Sequence, residues 1–273
     1  MAGEVFTLSQ ADVPDDQRAE VVVAAVQFLR LAGGIPAALR SLRALLEDPA
    51  FADRSDLWRF HAALGQQSAS STEVLIGLER ALALDYADLH GLVNVAAVRA
   101  DHQQLLWQYA QVADAAAAMG TPASPAFVAR VIEGADRWRS IDPNDTLACS
   151  QAARILQRLG LVELAWDYLT TPLAQRPNEA APWSTLASQL AQQGDLELAA
   201  RCHETAATLD PGNAQILWDL ATIRHQQGRT EDARAALRTI ADGTWQPRFE
   251  WLPRQARAAT PKSRGNRFAR SAV

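Results

Sequence analysis

Lysine is almost missing from this chain: Lys262 is the only one among 26 basic residues, and the others are arginine. Cysteine is scarce too. Cys149 and Cys202 lie in separate helical stretches. They suggest neither a disulfide framework nor a metal site, so both are expected to be small buried hydrophobes. Strand signals are nearly absent, which leaves an all-α fold. No glycine-rich phosphate loop, HExxH, CxxC or GxSxG occurs. The five histidines, His61, His90, His102, His203 and His225, stand at no metal-ligand spacing. Acid pairs such as Asp15-Asp16 and Glu231-Asp232 fall in first helical turns, where they complement the helix dipole. Catalysis is therefore not expected, and neither is a cofactor or a metal. No apolar stretch approaches the roughly 18–20 residues of a membrane span. The opening "MAGEVFTLSQADVPDD" has neither the basic region nor the apolar segment of a secretory leader. A cytoplasmic location is the expectation.

What the chain does have is alanine, regularity and uneven charge. The whole carries −5, yet residues 248–273 hold six arginines and Lys262 against the single acid Glu250. That basic tail sits on an acidic body and includes Pro253, Pro261 and Gly265, so disorder is expected beyond about Ala259. Its readings are a solvated end, a contact with an acidic partner or with the protein's own groove, and, least favoured, nucleic acid or anionic lipid. The arginine bias and alanine richness point to a GC-rich bacterial genome.

The regularity is a repeat. A unit begun at Ala180 puts Trp183 fourth, Leu186 and Ala187 seventh and eighth, Gly194 fifteenth, Ala199 twentieth, Ala206 twenty-seventh and Pro211 thirty-second. Thirty-four residues earlier, from Thr146, Cys149, Ala152, Ala153, Gly160, Ala165 and Pro177 keep the frame. Thirty-four residues later, from Ala214, Leu217, Leu220, Ala221, Gly228 and Ala233 keep it again. Apolar residues fall three and four apart, as on one face of a helix. Small residues permit close helix approach, and a glycine stands where the first helix must end. "IDPNDT" and "LDPGN" stop helices, because the residue before proline leaves helical geometry. One such hairpin cannot cover its own apolar face and stacks on its neighbours. The predicted helix pairs span about 146–175, 180–209 and 214–242.

This pattern resembles the tetratricopeptide repeat, and the match is specific over 146–242. The resemblance implies a right-handed α-solenoid of stacked helix-turn-helix units. Two departures stand out: His203 holds the twenty-fourth position, usually aromatic or aliphatic, and the third unit runs into "DGTWQPRFEW" instead of a closing Asp-Pro. Upstream the frame is weaker. A unit from Ser55 places Trp58, Ala62, Ala81 and Asp85, residues 89–122 fit poorly, and residues 20–49 read as a hairpin turning at Gly33-Gly34. The expected organisation is a flexible N-terminus (1–15), degenerate hairpins (16–122), one odd helix (123–145), three repeats (146–247) and the basic, largely disordered tail (248–273). The odd helix starts with Ser124 as its cap and Pro125 next.

In this family the first helix of each unit lines a concave groove that commonly receives an extended peptide or a partner helix. The corresponding positions hold Gln151, Arg154 and Arg158, then Ser184, Thr185, Ser188 and Gln192, then Gln215, Trp218, Asp219, Thr222, His225 and Gln226. Trp218 is the candidate anchor, since buried Trp and Arg carry much of an interface's energy. The alternative is that Trp218 packs against the next helix or lies under the tail. Family members that grip acidic chaperone C-termini use a lysine and asparagine clamp, which is missing here, as is an asparagine ladder. The resemblance therefore implies a non-catalytic interaction scaffold with a protein or peptide partner. The alternatives are the recognition arm of a larger transferase or oxygenase, or a structural subunit of an assembly.

Overall fold

The computed structural model describes Pro14, residues 17–88 and residues 95–259. The expectations for 1–13, Asp15-Asp16, His90 and 260–273 lie outside those residues. The described part contains helices and turns and no strand. Its first half comprises α1 (Arg18–Leu46), α2 (Pro49–Ala52), α3 (Ser55–Gln67), α4 (Ser71–Asp88), α5 (Val95–Ala118) and α6 (Pro125–Ile141). The second half comprises α7 (Thr146–Arg158), α8 (Val162–Gln175), α9 (Ala180–Gln193), α10 (Leu196–Leu209), α11 (Ala214–Gln226) and α12 (Thr230–Asp242). A 3-10 turn at Pro247–Phe249 and α13 (Leu252–Ala259) follow. The fold is all-α and solenoid-like, built from helix-turn-helix pairs. Two compact units divide it: Met1–Asp142 with Gln151–Ala165, and Pro143–Ser150 with Trp166–Val273.

In the second unit α9 packs on α10, α10 on α11, α11 on α12 and α12 on α13. Local chemistry ends each helix where the repeat requires. Gly194 closes α9 at φ 89°, a left-handed conformation that favours glycine. Asp195 then opens α10, its side chain accepting from the Leu198 amide at 3.1 Å. Ala187 and Ala199, the small positions of this pair, are both fully buried. His203 is buried as well, and its Nδ1 has no hydrogen-bond partner. Burial pushes its pKa down to about 4. Both Cys149 and Cys202 are buried free thiols.

The segment after α12 is folded as far as Ala259. Leu252 and Ala256 of α13 join Ala214, Ile240 and Ala241 in one buried cluster. Trp245 donates its indole N–H to the Ile240 carbonyl at 2.8 Å, and Gln246 donates to Asp210 at 3.0 Å. The helix covers apolar surface that a fourth repeat would otherwise bury.

In the first unit α1 packs on α2 and α3, α3 on α4, α4 on α5 and α5 on α6. The α3–α4 contact is the tightest. A Cβ on Gly77 would lie 2.7 Å from the Ala62 amide nitrogen and the Trp58 carbonyl, and one on Gly65 would lie 2.8 Å from the Val74 amide. The small residues of this hairpin therefore sit at Gly65 and Gly77, off the positions the downstream repeats use, which is why the frame reads weakly here. Arg59 of α3 ties the neighbours together, bonding Asp85 of α4 and, at 2.5 Å, Asp101 of α5. Ser124 caps α6, accepting from the Phe127 amide at 3.2 Å with Pro125 in the first turn.

One expectation is corrected. By length and composition α1 is long and apolar enough to cross a membrane, with a mean hydropathy of 1.7 over an 18-residue window. Gln27 and Arg30 break the apolar run, but the valines, leucines and isoleucine around them keep the average high. The helix is itself interrupted: Gly34 has φ 79° and Pro36 follows. Residues from both of its halves, Val22 and Val26 with Ala38 and Leu42, share one core with Leu57 and Leu64.

Two measurements test this packing. Ala187→Leu and Gly77→Ala should each lower the thermal midpoint, with overpacking costing about 1–3 kcal/mol, whereas Gln192→Leu on an exposed position should barely change it. Equal effects from all three would place the helix contacts elsewhere. His203 gives a pH test. Its folded pKa of about 4 lies below the unfolded value of 6.5, so the unfolded chain takes the proton first. Its contribution is fully present above 6.5 and is lost as pH falls toward 4, by on the order of 3 kcal/mol. Chemical denaturation of His203→Leu across that window should show a shallower loss than the parent, and parallel curves would refute the assignment.

Candidate peptide-binding face

The surface of α5 is set by its core stripe. Val98, His102, Leu105, Leu106, Tyr109 and Ala113 are buried at intervals of three and four residues. At about 100° per residue, Trp107, Gln111 and Asp114 fall on the side of α5 away from Leu105 and Tyr109. Trp107 is 58% exposed, unusual for so large a ring. Two depressions adjoin it. One, about 370 Å³, is lined by Gln66, Ala69, Ser70, Ser71 and Val74 together with Trp107, Gln108 and Gln111. The other, about 240 Å³, lies between Trp107, Gln111 and Asp114 on α5 and Gln151, Arg154 and Arg158 on α7.

The polar groups of the second depression are unequally occupied. Arg158 pairs with Asp114 at 2.6 Å, both half-exposed, so the pair adds little to stability. Arg154 is exposed and makes no ion pair or side-chain hydrogen bond among the described residues. The Gln151 Oε1 is buried without a hydrogen-bond partner. A buried acceptor without a donor is costly, and an incoming backbone N–H could supply one. Thus Gln151, Arg154 and Arg158 converge, and they do so beside a tryptophan that the repeat frame did not single out. Its position off the α5 core stripe was the available clue.

The residues expected on α9 and α11 belong to the second unit. Ser184 and Thr185 are half-buried, and the Ser184 Oγ has no hydrogen-bond partner. Ser188 donates to the Ser184 carbonyl at 2.9 Å, and Gln192 is exposed. Gln215 donates to Asp219 at 2.8 Å. Burial raises the Asp219 carboxyl above its ordinary range, partly offset by that bond. Thr222, His225 and Gln226 are exposed, the Thr222 hydroxyl donating to the Trp218 carbonyl at 3.0 Å. Trp218 itself is half-buried and packs, with Leu217, Leu237, Trp245 and Phe249, against the cluster made by α11, α12 and α13. Among the described residues no group of three His, Cys, Asp or Glu side chains could hold a metal ion.

Residues 190–244 match the family model for the tetratricopeptide repeat. No curated protein matches this sequence. Among solved structures, MamA (residues 41 to the end) from Desulfovibrio magneticus RS-1 is 18% identical with a TM-score of 0.38, covering 68% of this chain and 93% of that one. Another MamA structure is 10% identical with a TM-score of 0.39, covering 80% and 97%. YrrB, described as a TPR protein with an unusual peptide-binding site, is 14% identical with a TM-score of 0.34, covering 94% and 100%. The family match itself spans α10, α11 and α12, and the same 34-residue frame continues through α7, α8 and α9: this part of the chain is built of tetratricopeptide repeats.

Proposed function

We propose that this protein is a non-catalytic interaction scaffold that receives an extended peptide on the face of its first-of-pair helices. The observation that carries the reading is exposed Trp107, flanked by two depressions, with Gln151, Arg154 and Arg158 beside it. A tryptophan ring offers large contact area at small entropic cost, and the amides and guanidinium offer hydrogen bonds to a peptide backbone or carboxylate. Within the second unit, Ser184, Thr185, Gln192, Gln215, Asp219, Thr222 and His225 form a separate polar stretch suited to a peptide. Trp218 serves the packing against α13 in this reading, and Trp107 takes the anchoring role.

A displayed library of random peptides, selected on the immobilised full-length chain, supplies ligands directly. For the selected peptides Trp107→Ala should cost about 2 kcal/mol of affinity while helix content stays unchanged. Arg154→Ala should act mainly on association rate and salt dependence. Selected peptides that bind Trp107→Ala and Arg154→Ala as they bind the parent would sink this reading. Trp218→Ala should instead lower unfolding stability, by roughly 2 kcal/mol for a half-buried aromatic, as read by denaturant titration.

A further inference from the structure

The opposite face of α5 carries a second and different site. Leu105 and Tyr109 floor a pocket of about 510 Å³ between α1, α4, α5 and α6, a volume within the range of ligand pockets. Its apolar part is made by Ile76, Leu82, Ala83 and Leu105. Four arginines stand around it, Arg43, Arg80, Arg130 and Arg137, against two acids, Glu79 and Glu133. Helix α6 makes the arrangement possible. Gly134 lies where a Cβ would be 3.1 Å from the Tyr109 hydroxyl and 3.4 Å from Leu105, so α6 sits close on α5. Arg130, Glu133 and Arg137 then project from one helical face into the pocket.

The two acids are already engaged. Arg130 holds Glu79 in a bidentate pair, Nε to Oε1 at 2.9 Å and a terminal nitrogen to Oε2 at 2.8 Å. The Tyr109 hydroxyl donates to the same carboxylate at 2.8 Å. Glu133 is paired by Arg137 one turn on. Two cations are left over. Arg43 has only a long contact of 3.4 Å to Glu73, which does not line the pocket. Arg80 is exposed and has no ion pair or side-chain hydrogen bond among the described residues. In a chain that is acidic overall, this pocket is locally basic, with an apolar floor.

We infer that the Arg43–Arg80–Arg130–Arg137 pocket binds a short acidic segment of a partner protein, with an apolar side chain on the floor and flanking carboxylates on the rim. Guanidinium forks suit carboxylates geometrically, and the floor requires an apolar group that a bare anion lacks. This site lies across α5 from Trp107 and does not depend on the reading of that face.

The test uses the full-length chain and fluorescein-labelled hexapeptides in which leucine or phenylalanine is flanked by Asp and Glu. A matched pool carries Asn and Gln instead. Fluorescence anisotropy at low ionic strength should show binding of the acidic pool only, weakening with salt. Arg80→Glu should reduce it by about tenfold or more, and Ala83→Trp, which fills the floor while leaving every charge, should abolish it. Trp107→Ala should leave it unchanged. Circular dichroism of each variant separates lost binding from lost folding. No binding of the acidic pool, or binding indifferent to both Arg80→Glu and Ala83→Trp, overturns the inference. Competition by inorganic triphosphate as strong as by the acidic peptides would overturn the peptide assignment in favour of a phosphate site.

Discussion

Helix pairs in this protein approach so closely that single methyl groups decide the packing. At the α3–α4 contact a Cβ on Gly77 would collide with backbone atoms of the facing helix. Ala187 of α9 and Ala199 of α10 are the corresponding small residues of the best-formed repeat, and neither retains exposed surface. Everything else follows from this spacing. Larger side chains, Leu190, Leu220 and Ile240 among them, are buried elsewhere along the same helices. A hairpin built this way has an apolar flank on each side and is stable only when both are covered. At the C-terminal end α13 supplies that cover, through Leu252 and Ala256.

Because stacking uses the apolar flanks, the remaining chemistry is carried by arginine. Arg59 joins Asp85 and Asp101 across three helices, and Arg130 clamps Glu79 with help from Tyr109. A planar guanidinium with several donors can serve two acids at once, which a lysine ammonium does less well. Partly buried pairs of this kind are weak sources of net stability. They are costly to break, however, so they favour one arrangement of helices over its neighbours. The arginines that such pairs leave free, Arg80 and Arg154, are the ones in position to meet a ligand.

The repeat frame was legible because it is enforced by local chemistry. Thr146, Ala180 and Ala214, chosen from spacing alone, are the first residues of α7, α9 and α11. Gly194 and the Asp-Pro stops act within a few residues of themselves, so a linear reading captures them. Upstream the same reading weakened, since Gly65 and Gly77 achieve the close contact from different positions. The candidate site was legible only in part. Arg154, Arg158 and Gln151 follow from the groove positions that the family resemblance implies, whereas Trp107 lies in a stretch where the frame fails. Trp218 was visible as a large residue in the right phase, but its neighbours Trp245 and Phe249 arrive from beyond the last repeat.

The sequence by itself determined that the chain is helical and, over residues 146–242, where the helices begin and end and which residues are small enough for paired helices to touch. These properties depend on contacts within one hairpin, and their periods are written along the chain. Only the tertiary structure decided which surface residues share a site. The pocket of four arginines draws on α1, α4 and α6, whose separation along the chain carries no trace of their proximity. Its existence depends on how closely α6 seats on α5, and that distance is set by a missing side chain, at Gly134, meeting a tyrosine 25 residues earlier, Tyr109.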